Sequence, residues 1–269
     1  MIERDGEVPP AGDERPPLIR RIAPALAIVG ALLVAWELYV RWSGIDPIVL
    51  PSPSRILGAL VEYRGLAIGH TLPTLWETLV GFAISVAAAI SVAVVMDQLA
   101  PVRRALYPLL VASQTIPILA IAPLMIIWFG FGLLPKVLVI VLVTFFPIVV
   151  ALLDGFASTD PDALDLLRTM GATDRQVFWK VRLPTALPFF FTGLRISITY
   201  AVIGAIFGEY VGAYEGLGIW MQLSKNAFRT DLVFVAILIT AVLSIGLFLA
   251  VGLLERLVIP WYRESRRGN

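Results

Sequence analysis

Long apolar blocks joined by short polar connections set the period of this chain. They run Ile22–Val40, Leu72–Met96, Ala105–Phe129, Leu133–Leu153, Leu187–Val211 and Leu232–Leu254. A helix needs about 20 largely apolar residues to cross a bilayer core. The pattern therefore predicts an all-α membrane protein with six transmembrane helices. The third block carries Pro108, Pro117 and Pro123, so its helix is expected to be broken along its length.

The blocks divide the chain. Residues 1–21 are acidic and Pro-rich and read as a disordered tail. Residues 22–71 hold the first span and an outer loop, in which DPIVLPSPSRILGALVEY reads as a Pro turn followed by an amphipathic helix. Residues 72–258 hold five spans and a connecting loop at 156–186, and residues 259–269 form a basic tail. The first apolar run has no small-residue cleavage site and is long enough to span, so it is expected to be retained.

One polar stretch between spans four and five does not read as a simple connector. Asp160-Pro161 is a helix start, a capping carboxylate followed by Pro at the first helical position. Ala163, Leu164, Leu167 and Met170 fall on one face, and Gly171 stands where a helix commonly ends in a left-handed residue. Thr173 and Gln176 have capping-box spacing for a second helix, with Val177, Phe178 and Val181 as its apolar stripe and Pro184 as its expected stop. Helix, Gly turn, helix, stop makes a stiff knob that can transmit force. An amphipathic connector lying at the lipid headgroups is the plainer reading.

Composition agrees with the pattern: 58% of the 269 residues are hydrophobic, 15% are charged, and mean hydropathy is +0.86. There is no Cys, which excludes disulfides and thiolate metal sites, and the single His70 cannot build a cluster. Net charge is +1, without the bias that nucleic acid would call for. None of the lysines, Lys136, Lys180 and Lys225, follows a glycine, so no phosphate-binding loop exists and any ATP must be bound by another chain. Fourteen Lys and Arg flank the spans on the side that holds both termini and six on the other, which places the termini and the 156–186 loop in the cytoplasm.

Polar groups inside spans are costly and so are candidates for function. Gln114 and Thr115 lie in the Pro-broken block, where freed backbone groups suit a cavity wall. Trp128, Thr144 and Tyr200 offer aromatic and hydroxyl contacts to a ring-shaped substrate, and Glu209 a carboxylate toward the outer end of span five. Each has a bland alternative as an interhelical hydrogen bond or an interfacial anchor. Arg195 reads as a structural or gating group, about 21 Å from Glu209 along one helix. Glu37 and Arg41 form an i,i+4 pair. No catalytic constellation is present, and no cofactor site is expected.

The motif Asp165-x₅-Gly171-Ala172, with Leu183-Pro184 completing it thirteen residues after the glycine, resembles the EAA loop of ABC importer permeases. Leu166 and Leu167 stand where that family usually has Ala-Ala. QTIPILAIAPLMIIWFGFG, FFPIVVALLDG, GLRISITYAVIGAIFGEYVG and GLGIWM are similar to the nitrate/sulfonate/taurine subgroup. Within it, the TIP…AP…WFG…K…FFPI run looks closest to permeases for the thiamine pyrimidine precursor or riboflavin.

The resemblance implies a type I importer permease in a bacterial inner membrane. It implies a second permease copy, two ATPase subunits and an extracytoplasmic solute-binding protein as partners. It also implies that Asp160, Asp165, Arg168, Gly171, Ala172, Arg175, Leu183 and Pro184 belong to a coupling segment that docks on the ATPase. A secondary transporter, which needs no ATPase, is the alternative.

Overall fold

The computed structural model describes residues 18–261, so the expected N-terminal disorder and most of the basic tail lie outside the described residues. Among these the chain is helical throughout, as α1 (Leu18–Ser43), α2 (Pro53–Glu62), α3 (Arg64–Gln98), α4 (Ala100–Ser113), α5 (Ile118–Phe129), α6 (Leu133–Ala157), α7 (Pro161–Thr169), α8 (Asp174–Val177), α9 (Leu183–Gly212), α10 (Leu217–Asn226) and α11 (Thr230–Val258). Five helical stretches are long and apolar enough to span: α1, α3, α6, α11 and a continuous Asp174–Gly212 helix.

The third expected span is a bent pair. α4 and α5 meet at 101° across Gln114–Pro117, and only together do they make a sixth crossing. Pro117 has no N–H to donate, and its ring disfavours helical backbone at Ile116. The amides of Gln114 and Thr115 fall back to Val111 and Ala112, three residues earlier. Pro108 and Pro123 lie inside α4 and α5 and do not end them.

Pro184 corrects a second expectation. It does not stop the second loop helix. It sits at the start of α9, and the residues before it, Phe178–Arg182, form a π-turn that joins α8 to α9. The Leu183 amide donates to the Phe178 carbonyl, five residues back. A proline in a regular helix would clash with the carbonyl four residues before it. The extra residue of the π-turn relieves that clash, so the helix runs on.

α6 is the centre of the bundle, held between α3 and α9. The α9 face toward it is cut back to glycine. A Cβ on Gly193 would lie 2.6 Å from Ala151 Cβ, and one on Gly204 would lie 3.2 Å from Ile140 Cα. Small residues let backbones approach where lipid gives no hydrophobic drive between helices. Met96, Ile140, Ile148, Phe156 and Ile198 fill the space that remains. A polar node crosses the same three helices: Thr144 Oγ1 and Ser85 Oγ are 2.7 Å apart, and Ser197 Oγ donates to the Thr144 carbonyl at 3.1 Å.

The outer elements are pinned by charge. Glu37 of α1 accepts from the amide and hydroxyl of Ser54 at the start of α2, at 3.0 and 2.7 Å. Its predicted partner Arg41 lies 2.7 Å away. Arg229 forms a two-pronged contact with Asp231 at 3.0 Å on each arm and reaches Tyr63 Oη at 3.2 Å, which fastens α2 to α11. Arg195 of α9 pairs with Glu255 of α11 and lies over the Phe248 ring.

Candidate functional site

The break between α4 and α5 opens a cavity of about 580 Å³. Gln114 and Pro117 form one wall, Phe146 and Pro147 of α6 another, and Ile196 and Tyr200 of α9 a third. Of the expected pathway residues, the structure brings Gln114 and Tyr200 together here. No Asp, Glu, Lys or Arg lines the cavity. Thr115 turns its hydroxyl to the Ala112 carbonyl, at 2.7 Å, and Trp128 is exposed on α5; neither lines the cavity.

Thr144 and Glu209 are placed elsewhere. Thr144 is fully buried in the α3–α6–α9 node. Glu209 is fully buried as well, and its carboxyl group bridges α3 and the start of α10. It accepts from Thr74 Oγ1 at 2.6 Å and from the Gly218 amide at 2.7 Å, while Thr74 Oγ1 accepts from the Leu217 amide at 2.8 Å. A carboxylate from one helix thus caps the N-terminus of another, where free amides and the helix dipole favour negative charge. The glycines of GLG make room for it. Gly216 has φ +124°, and a Cβ there would lie 2.2 Å from Glu209 Cδ. His70 Nδ1 accepts from the Gly216 amide at 3.1 Å, and its ring stacks on Trp220.

A buried ion pair lies beside this cap. Lys136 of α6 donates to Glu77 of α3 at 2.5 Å, with 9% of each side chain exposed. The pairing has a signal in the sequence: a carboxylate within an apolar block calls for a partner, and Lys136 stands at the start of the next-but-one block.

At the opposite end of the bundle the connecting loop has its expected local form. Asp160 caps α7 by accepting from the Asp162 amide at 3.0 Å. α7 ends in a Schellman turn: the Ala172 amide donates to Leu167 O at 3.0 Å and the Gly171 amide to Arg168 O at 2.9 Å. Gly171 has φ +83°, a backbone state that a side chain would strain. Thr173 and Gln176 form the reciprocal capping box. Arg168 lies 3.8 Å from both Asp165 and Asp174 and so spans the two helices. Arg175 is exposed, and Leu183 and Pro184 are half-buried at the foot of α9. On the α7 face predicted to be apolar, Ala163, Leu164 and Leu167 are half-buried and Met170 is 75% exposed; Leu166, which lies off that face, is 62% exposed.

A membrane-embedded helical bundle with a Pro-broken cavity wall and a rigid helical foot has the build of a transport permease worked from outside itself. Residues 81–260 match the family of binding-protein-dependent transport system inner membrane components, and the chain belongs to that family. It is the permease subunit of an ABC importer. It is 43% identical to the formylaminopyrimidine transport permease protein ThiX of Halalkalibacterium halodurans, over 87% of this chain and 94% of that protein. It is 38% identical to the riboflavin transport system permease protein RibX of Chloroflexus aurantiacus, over 86% of this chain and 87% of that protein. The taurine transport system permease protein TauC of Escherichia coli is 32% identical over 92% of this chain and 93% of its own length. The fold is shared with a solved chain of the inward-facing MetNI methionine ABC transporter, with TM-score 0.58 at 19% identity, over 71% of this chain and 96% of that one.

Proposed function

We propose that two copies of this chain form a pathway for a small, uncharged heteroaromatic compound of the vitamin-precursor class, with the α4–α5 cavity as each copy's share of it. The uncharged lining carries this reading: Gln114 offers an amide and Tyr200 a hydroxyl among apolar walls, which suits a flat ring with a few polar atoms. Taurine, sulfonates and nitrate each carry an anionic group that calls for Arg, Lys or a cluster of amide donors. The identity to the formylaminopyrimidine permease points the same way.

In this reading both termini and the 156–186 loop face the cytoplasm. Asp160, Asp165, Arg168, Gly171, Ala172, Arg175, Leu183 and Pro184 form the foot that docks on the ATPase, and exposed Leu166 and Met170 supply its apolar contact. A solute-binding protein delivers substrate at the α10 end. ATP-driven closure of two ATPase subunits draws the two feet together and turns the pathway outward, and hydrolysis lets it return.

The test is ATPase activity of the complete complex in liposomes, with formylaminopyrimidine, riboflavin, taurine, an alkanesulfonate and nitrate added in turn. Stimulation by a heteroaromatic compound, lost in Gly171→Pro, is the expected result. Stimulation by an anion alone would reject the substrate class. An ATPase that fails to co-purify with this chain would reject the assignment of the foot.

A further inference from the structure

Arg182 lies in the π-turn, between the foot and α9. Its guanidinium reaches out of that turn to the end of α3, where NH2 donates to Asp97 Oδ1 at 2.7 Å. It also lies over the Phe156 ring at the end of α6, 5.8 Å from the centroid. Asp97 and Arg182 are 85 positions apart in sequence, and only 6% of the Asp97 side chain is exposed.

This is the one hydrogen-bonded link between α3 and the 160–182 segment among the described residues. Around it the contact is open. A cavity of about 650 Å³, walled by Asp97, Arg168, Arg175 and Trp179, separates the foot from α3. Val177 and Phe178 of the foot pack on the bundle core, and the Asp97–Arg182 bond adds a polar tie to α3 beside them. The link is also unsaturated: Asp97 Oδ2 and Arg182 Nε are both buried without a partner. A guanidinium and a carboxylate can make two parallel bonds, and here they make one.

We infer that Asp97 and Arg182 are a positioning pair that passes movement of the foot to α3. α9 is driven directly, because it continues the foot. α3 is driven through this contact. At the far end α3 and α9 are joined again by Thr74 and Glu209, at 2.6 Å. Two rungs, one at each end, keep the helices in step. Without the lower rung the ATPase still binds the foot and moves α9, while α3 lags and the pathway does not open.

The inference rests on the assignment of the foot proposed above. The experiment measures substrate transported per ATP hydrolysed in the reconstituted complex, together with ATPase co-purification. The informative variant is Asp97→Asn with Arg182→Gln. It removes both charges together, so neither is left buried and alone; Asn keeps the shape of Asp97, and the shorter Gln at 182 cannot reach it. The expected result is ATPase bound at the wild-type level with transport per ATP reduced tenfold or more, while the exchange Asp97→Arg with Arg182→Asp recovers at least half. Wild-type transport per ATP in the neutral pair would overturn the inference. Loss of the ATPase from the wild-type complex would instead overturn the assignment of the foot.

Discussion

Removing Lys136 tests the buried core of the α10 end. Lys136→Met deletes the cation paired with Glu77 and leaves a side chain of similar length in its place. Glu77 Oε1 then loses its 2.5 Å partner, and Glu77 Oε2 is already buried without one. A lone buried charge costs about 3–5 kcal/mol relative to the intact pair. That is roughly a 10²- to 10⁴-fold loss in the folded-to-unfolded ratio. Replacing both partners is a different perturbation. Lys136→Met with Glu77→Met leaves neither a charge nor an unpaired polar group to desolvate, so it is expected to lie within about 1 kcal/mol of wild type. The assay is reversible unfolding of the purified chain in mixed micelles, titrated with SDS and followed by tryptophan fluorescence. A single variant costing less than about 1 kcal/mol, or a double variant as unstable as the single, would refute the reasoning. The first result would mean that water reaches the pair. The second would mean that packing around Lys136, rather than charge, holds α3 to α6.

Three further outcomes are expected. Gly216→Ala puts a Cβ 2.2 Å from Glu209 Cδ, so α10 must lift off its cap; protease cleavage near Tyr214 should accelerate while the rest of the bundle resists digestion. Gln114→Ala removes one hydrogen-bonding group from the cavity wall and is expected to raise the substrate concentration for half-maximal ATPase stimulation about five- to tenfold, with the maximum little changed. Thr144→Val removes a hydroxyl bonded across helices and should cost only about 0.6 kcal/mol in the same SDS titration, because interhelical hydrogen bonds in membranes are individually weak.

The helices were legible in the sequence because their signals are local. Apolar length gave the spans, and Asp160, Gly171, Thr173 and Gln176 gave the caps and turn of the foot. The readings that failed depended on something nonlocal or on an exception to a local rule. Pro184 reads as a stop by every local criterion, and only the preceding π-turn lets the helix continue. Pro117 marks a break, but neither the 101° bend nor its direction is encoded in the word Pro. Glu209 reads from the sequence as a pathway carboxylate, since an acid in a span needs a reason; the structure sets it against an amide row that folds back nine residues later, a contact no local signal shows. Lys136–Glu77 and Asp97–Arg182 join residues 59 and 85 positions apart, and periodicity carries no information about such pairings. Gln114 and Tyr200 stand out because polar groups in apolar blocks are few, although nothing in the sequence shows that they share a cavity.

The π-turn has a mechanical consequence. Because it carries the helix past Pro184, residues 174–212 form a single rod of 39 residues, about 58 Å long. That is nearly twice the thickness of a hydrocarbon core, so one end stands clear of the membrane as a handle. A tilt of about 5° applied at that handle sweeps the far tip through about 5 Å, close to the pitch of one helical turn. Glu209 sits three residues from that tip and grips the first amides of α10. The short α10 helix therefore rides on the end of a lever whose handle is the foot proposed to dock on the ATPase, and the leverage is set by a single extra residue before a proline.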